Sequence, residues 1–104
     1  MHRNNNTIIK IMNRKEYPVW TGVIDYFPDA LMEVSRVSKI GNDQHHKGKP
    51  LHWDKSKSTD HLDALTRHLL EADKLDDDGV LHLAKVAWRA LAALQFKLEK
   101  NDEN

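Results

Sequence analysis

The sequence predicts a small, mainly α domain of about three main helices joined by a long central loop. Three observations predict it. Apolar residues recur at helical steps in three separate stretches, each stretch is bounded by recognisable start or stop residues, and only one short run is β-branched. The 104 residues suffice for one domain. With 39% apolar residues the core must be thin, so completion by homo-oligomerisation is expected.

Charge and composition remove several function classes. Sixteen basic residues balance sixteen acidic ones, which argues against bulk nucleic-acid binding driven by positive charge. Cysteine is absent, which excludes disulfides, thiolate catalysis and Cys-based zinc sites. Seven histidines make the surface charge sensitive to mildly acid pH. No run approaches the roughly 20 apolar residues of a membrane span. The start, MHRNNN, lacks the apolar centre of a signal peptide, so a soluble protein of a reducing compartment is expected.

Residues 1–16 read as an N-terminal arm. TIIKIM at 7–12 is either a short edge strand or an extended segment packed on the body or a neighbour. Residues 13–20 read as irregular, since Pro18 does not suit a helix interior. Tyr17, Trp20, Tyr26 and Phe27 crowd into eleven positions, as a lid on a thin core or as rings closing over a nucleobase. The first helix starts at Pro28, with Asp29 in the dipole-favoured first turn. Leu31, Val34, Val37 and Ile40 form its stripe, Glu33 and Arg36 face outward as a weak pair, and Gly41-Asn42 supplies a stop.

The loop DQHHKGKPLHWDKSK at 43–57 is long enough to suggest function. Its Lys47-Gly48-Lys49-Pro50 turn has the chemistry of a cationic lid over phosphate without the spacing of a Walker loop. His45 and His46 are candidate metal ligands that need partners from elsewhere. Trp53 either anchors the loop to the body or stacks on a ligand.

Ser58, Thr59 and Asp60 offer successive N-caps to the second helix. Leu62, Leu65, Leu69 and Ala72 share one side; Asp60, Asp63, Arg67 and Glu71 share the other, flanked by His61 and His68. The polar side is a solvated face with i,i+4 pairs or a wall of a phosphate or metal site. Alternatively, Asp63 holds Arg67 or Arg89 in a buried pair.

The tract DKLDDDG at 73–79 precedes the third helix. Asp76, Asp77 and Asp78 either cap that helix or offer oxygen ligands to Mg²⁺. The third helix is expected from about Val80 to Glu99, followed by a polar tail at 100–104. Val80, Leu83, Ala84, Ala87, Leu91, Leu94 and Leu98 give a broad apolar side, and the alanines permit close approach of a neighbour. Opposite them lie His82, Lys85 and Arg89, a cationic stripe poorly placed for the dipole. It calls for an anionic partner: the acidic side of the second helix or a substrate phosphate.

Several runs together resemble a known family. They are YFPDAL at 26–31, IGNDQH at 40–45, PLHW at 50–53, KST at 57–59, DALTRHLLE at 63–71, DDDG at 76–79 and KVAWRALAALQ at 85–95. In order and spacing they resemble the dATP/dGTP diphosphohydrolase N-terminal domain family of phages and prophages, over roughly residues 17–99. The resemblance implies a nucleotide-handling domain that removes pyrophosphate from purine deoxynucleoside triphosphates, with a divalent metal, in the cytoplasm of an infected host cell. The chain carries neither the EExxE and ExxD motifs of MazG-type pyrophosphohydrolases nor an HD-domain arrangement.

On that reading Asp63, His68 and Glu71 are the candidate catalytic residues, and Asp76, Asp77 and Asp78 the ligands of Mg²⁺. Lys49, Arg67, Lys85 and Arg89 would neutralise phosphate, with His82 beside them, and Trp53 or Tyr26 would stack on the purine. The alternative is a non-catalytic protein that binds and sequesters a host defence nucleotide.

Overall fold

A computed structural model describes residues 13–102. The expected strand at 7–12 lies outside them. Within them the fold is mainly α and contains no strand, only an isolated antiparallel bridge between Leu75 and Leu81. Helix α1 spans Pro28–His45, α2 spans His61–Leu69 and α3 spans His82–Asp102. The third helix packs on both others and forms the spine of the domain. Residues 13–27 are less irregular than Pro18 suggests, with a 3-10 turn at Arg14–Glu16 and a π-helical turn at Trp20–Ile24.

Helix α1 starts as its sequence dictates, with Pro28 in the first turn and Asp29 beside it. It does not stop at Gly41-Asn42 but continues a further turn to His45. The reason lies in the Asn42 side chain, which is buried at 6% exposure. Its Nδ2 donates to the Lys49 carbonyl at 3.1 Å, and its Oδ1 accepts from the His52 N–H at 3.3 Å. Asn42 thus folds the central loop back over the helix end instead of terminating the helix. Arg36 does not pair with Glu33; it reaches across to donate to the Gly79 carbonyl at 3.0 Å.

Helices α2 and α3 bury only part of the sides their leucines mark: Leu65 and Ala84 turn inward, while most of the leucines do not. On α2 the inward residues are His61, Ala64, Leu65 and His68, while Leu62 and Leu69 are exposed. On α3 the buried residues include His82, Ala84 and Ala92, with Lys85, Trp88 and Arg89 half-buried beside them; Leu83, Leu91 and Leu94 are exposed. Small residues at Ala64, Ala84 and Ala92 let the helix axes approach closely. Most polar groups on these inward faces can be buried because they satisfy one another, with His61 Nε2 the exception among the described residues.

Val80, the most deeply buried large side chain described, sits in the loop before α3. That loop is a tight hairpin: the Asp76 N–H donates to the Val80 carbonyl at 2.8 Å and the His82 N–H to the Lys74 carbonyl at 3.0 Å. None of the three aspartates occupies the first turn of α3. The Asp76 and Asp78 carboxylates instead accept backbone N–H groups inside the hairpin, from Asp77 and Val80. Gly79 closes the turn at φ +81°, a conformation that costs an L-residue about 1–2 kcal/mol. A β-carbon there would meet only the Arg36 guanidinium at 3.8 Å, an ordinary contact. Gly79→Ala is therefore expected to lose about 1–2 kcal/mol in urea unfolding, with Gly79→Asn milder. Equal midpoints for all three proteins would show that the hairpin adjusts without strain.

Candidate functional site

The C-terminal half of α1, the central loop, α2 and the start of α3 enclose a cleft of ≈ 670 Å³. Its walls bring together Trp53, Lys57, His61, His68, Lys85 and Arg89, with Asp54 and Asp78 as the acidic groups. Gly41 leaves space on the α1 side, with nothing within 4 Å of where a β-carbon would stand.

One wall is aromatic. Trp53 stacks on Phe96 with ring centroids 5.5 Å apart and planes 5° from parallel, and meets Trp88 edge-on at 5.4 Å. The loop is thereby anchored to α3, and Lys55 strengthens the anchor by an ion pair to Glu99 at 2.7 Å. Trp88 in turn donates from Nε1 to the Ser38 hydroxyl at 2.8 Å, tying α3 to α1. Tyr17, Trp20, Tyr26 and Phe27 take no part: all four are exposed, and none lines the cleft.

His61 lies within this cluster, 5.0 Å from Phe96 by ring centroid and 4% exposed. Arg89 Nη1 is 2.9 Å from its Nδ1 and donates at 2.8 Å to the Ser58 hydroxyl. Because a guanidinium only donates, Nδ1 must accept and the proton must sit on Nε2. That Nε2 is buried without a partner among the described residues. Burial first, and then the Arg89 charge, push the His61 pKa down, so the ring stays neutral.

The second wall is ionic. Lys85 Nζ lies 2.6 Å from an oxygen of Asp76 and 2.6 Å from one of Asp78. Burial alone would lower the Lys85 pKa; hydrogen bonds to the two carboxylates outweigh it and raise the value. The Lys85 hydrogen bond holds Asp76 below the usual carboxylate range. Asp78 is pushed up by burial, yet Lys85 and the Val80 N–H carry it below that range. Within the cationic stripe, Lys85 therefore finds its anionic partner in the hairpin, whereas Arg89 meets Ser58 and His61.

Behind Lys85, His68 Nδ1 lies 2.8 Å from His82 Nδ1, so one hydrogen is shared between them. On its other side, His82 Nε2 faces Glu71 at 3.6 Å and Asp76 at 3.9 Å. Burial, followed by the Lys85 and His82 charges, lowers the His68 pKa. One candidate ligand atom each from His68, Asp76 and His82 lies within 4.8 Å of the others. Two imidazoles and a carboxylate are a donor set that fits a divalent cation.

Of the residues singled out in the sequence, His45, His46, Trp53, His68, Asp78, Lys85 and Arg89 line the cleft, and His82, Glu71 and Asp76 stand just behind. Asp63 and Arg67 are exposed on the outer side of α2. Arg67 pairs with Asp60 at 3.2 Å, not with Asp63 or Glu71, and Asp63 holds neither Arg67 nor Arg89. Lys49 contributes its carbonyl to Asn42, and Asp77 is exposed. Asp76 and Asp78 face a lysine ammonium where Mg²⁺ is expected from the sequence. Sequence reasoning gives Asn42 only as a helix stop, Ser58 only as an N-cap and His61 only as a flank of the polar side of α2, and it assigns Trp88 no role. The spacing of His61, Ala64 and His68 on one side of α2 is the signal that marks the inward face.

Residues 11–104 match the family described as dATP/dGTP diphosphohydrolase, N-terminal. The chain belongs to that family. No curated protein and no solved structure matches it. The dATP/dGTP diphosphohydrolase N-terminal match takes in every element described above and every part of the cleft: the C-terminal half of α1, the central loop, α2, the acidic hairpin and α3 all fall inside it. Among the described residues of this family member, no helix is long and apolar enough to cross a membrane.

Proposed function

We propose that the chain hydrolyses purine deoxynucleoside triphosphates, dATP or dGTP, to the monophosphate and pyrophosphate. The observation that carries this reading is the pairing of an aromatic wall with an ionic one across a single cleft, in a chain of this family. The cleft volume lies within the roughly 300–1,000 Å³ of small-molecule sites. Trp53 and Trp88 offer an apolar border for a base, and Lys57 and Arg89 offer positive charge for phosphates. A divalent cation held by His68, Asp76 and His82 would supply charge neutralisation for the departing pyrophosphate. The exposed Leu62, Leu69, Leu83, Leu91 and Leu94 support a homo-oligomer; a monomer by light scattering at micromolar concentration would rule that out.

Incubation of the pure chain with dGTP or dATP and a divalent metal, with products separated by anion exchange, tests the reaction. Monophosphate plus pyrophosphate is the expected result. Recovery of bound but intact nucleotide after denaturation would favour a sequestering protein instead, and no binding at all would remove both readings. Asp63→Asn is expected to leave nucleotide affinity unchanged and stability within about 0.5 kcal/mol, as for an exposed residue outside the cleft. A loss of affinity in that variant would move the site to the outer face of α2.

A further inference from the structure

We infer that His68, His82 and Asp76, with Glu71 beside them, form a site for a divalent transition metal such as Mn²⁺, Co²⁺ or Zn²⁺, in preference to Mg²⁺. The inference deepens the proposed function by naming the metal class, but the site stands on its own geometry. The donors come from separate elements that the fold brings together: His68 from α2, Asp76 from the hairpin and His82 from the first turn of α3.

Metal–imidazole bonds of about 2.0–2.1 Å put two nitrogens at right angles on one cation about 3 Å apart. His68 Nδ1 and His82 Nδ1 stand 2.8 Å apart, so a small opening of the pair admits an ion. A carboxylate oxygen of Asp76 lies within 4.8 Å of a ring nitrogen of each histidine. The carboxylate is already oriented, with one oxygen on Lys85 and the other on the Asp77 N–H. Such outer contacts are what hold metal ligands in place. Glu71 faces the other ring nitrogen of His82, Nε2, at 3.6 Å and would steady that ring from outside the site.

The selectivity follows from the donors. Imidazole suits iron, nickel, copper and zinc ions, with Mn²⁺ the weakest binder of the first-row series, whereas Mg²⁺ takes oxygen and gives up its water reluctantly. The pair of carboxylates that would suit Mg²⁺, Asp76 with Asp78, is already bridged by the Lys85 ammonium. His68 also lines the cleft, so an ion held there would open towards the space proposed for the nucleotide phosphates.

The test is titration of metal-stripped protein with Co²⁺, read by visible ligand-field absorption, alongside equilibrium dialysis against Mn²⁺, Zn²⁺ and Mg²⁺. One Co²⁺ per chain is expected, displaced by Zn²⁺ and not by equal Mg²⁺. His68→Ala, at a half-buried position outside the ion pairs, and Asp76→Asn should each weaken binding at least about tenfold, the scale commanded even by an outer partner of a metal ligand. His45→Ala and Asp77→Asn should not change it. Absence of Co²⁺ binding, equal affinity for Mg²⁺, or unchanged binding in His68→Ala would each overturn the inference. Metal binding is measured without nucleotide and nucleotide binding in chelator, so either reading can fail while the other holds.

Discussion

Lys85→Met is expected to destabilise the fold by about 2–4 kcal/mol at neutral pH. Breaking a buried ion pair costs about 3–5 kcal/mol because the surviving charge has no partner. Here the side chains retain 15% exposure for Lys85, 27% for Asp76 and 17% for Asp78, which lets water offset part of that cost. The pH dependence identifies the cause. Both aspartates titrate below their ordinary 3.8 in the folded chain. Their contribution is therefore complete above the unfolded value near 3.9 and is lost as pH falls through the lowered folded values. Lys85 has a raised pKa, so its contribution is complete below 10.5 and lost as pH rises through the folded value. Urea unfolding of the two proteins should differ most between these limits and converge on the acid side. A gap that stays constant down to about pH 3 would mean that methionine fails for reasons of packing alone.

Trp53→Ala is expected to cost about 3 kcal/mol, the lower end for removing a large aromatic from a packed site, since Trp53 is only half-buried. It removes the parallel stack on Phe96, the edge contact with Trp88 and the face beneath the Lys55 ammonium, which lies 5.1 Å from the ring centroid. Trp53→Phe keeps the stack and should recover more than half of the loss. The loop itself gives the second measurement. Lys47, Lys55 and Lys57 are exposed and lie within it, each followed by a residue other than proline. Release of the anchor should make trypsin cleave there faster than in the parent chain. Unchanged cleavage, with stability lost, would place the anchoring in Asn42 and the Lys55–Glu99 pair instead.

The helices were legible in the sequence; their buried faces were not. Leu62 and Leu69 on α2, and Leu83, Leu91 and Leu94 on α3, mark apolar sides that periodicity assigns to the core. The fold turns those leucines outward because the faces beside them carry groups that complete one another. Lys85 finds two carboxylates, Arg89 finds a hydroxyl and an imidazole nitrogen, and His68 finds His82. Hydrophobic periodicity ranks faces by their own polarity and carries no information about partners brought by another segment. The cationic stripe was nevertheless readable as a set of charges in need of an anion, and Lys85 and Arg89 do line the cleft. What misled was the source of the anion, since three consecutive aspartates read locally as a helix cap. Gly41-Asn42 failed for the same reason: a stop signal is local, while the Asn42 amide answers to a loop seven to ten residues away.

The placement of the three tryptophans gives the protein a built-in optical record of its cleft. Trp53 and Trp88 stand 5.4 Å apart and half shielded, whereas Trp20 is 67% exposed on the far smaller π-helical turn. Their emission should divide into a short-wavelength part from the sheltered pair and a long-wavelength part from Trp20. A soluble quencher reaches Trp20 first, while a molecule entering the cleft dims the pair and leaves Trp20 alight.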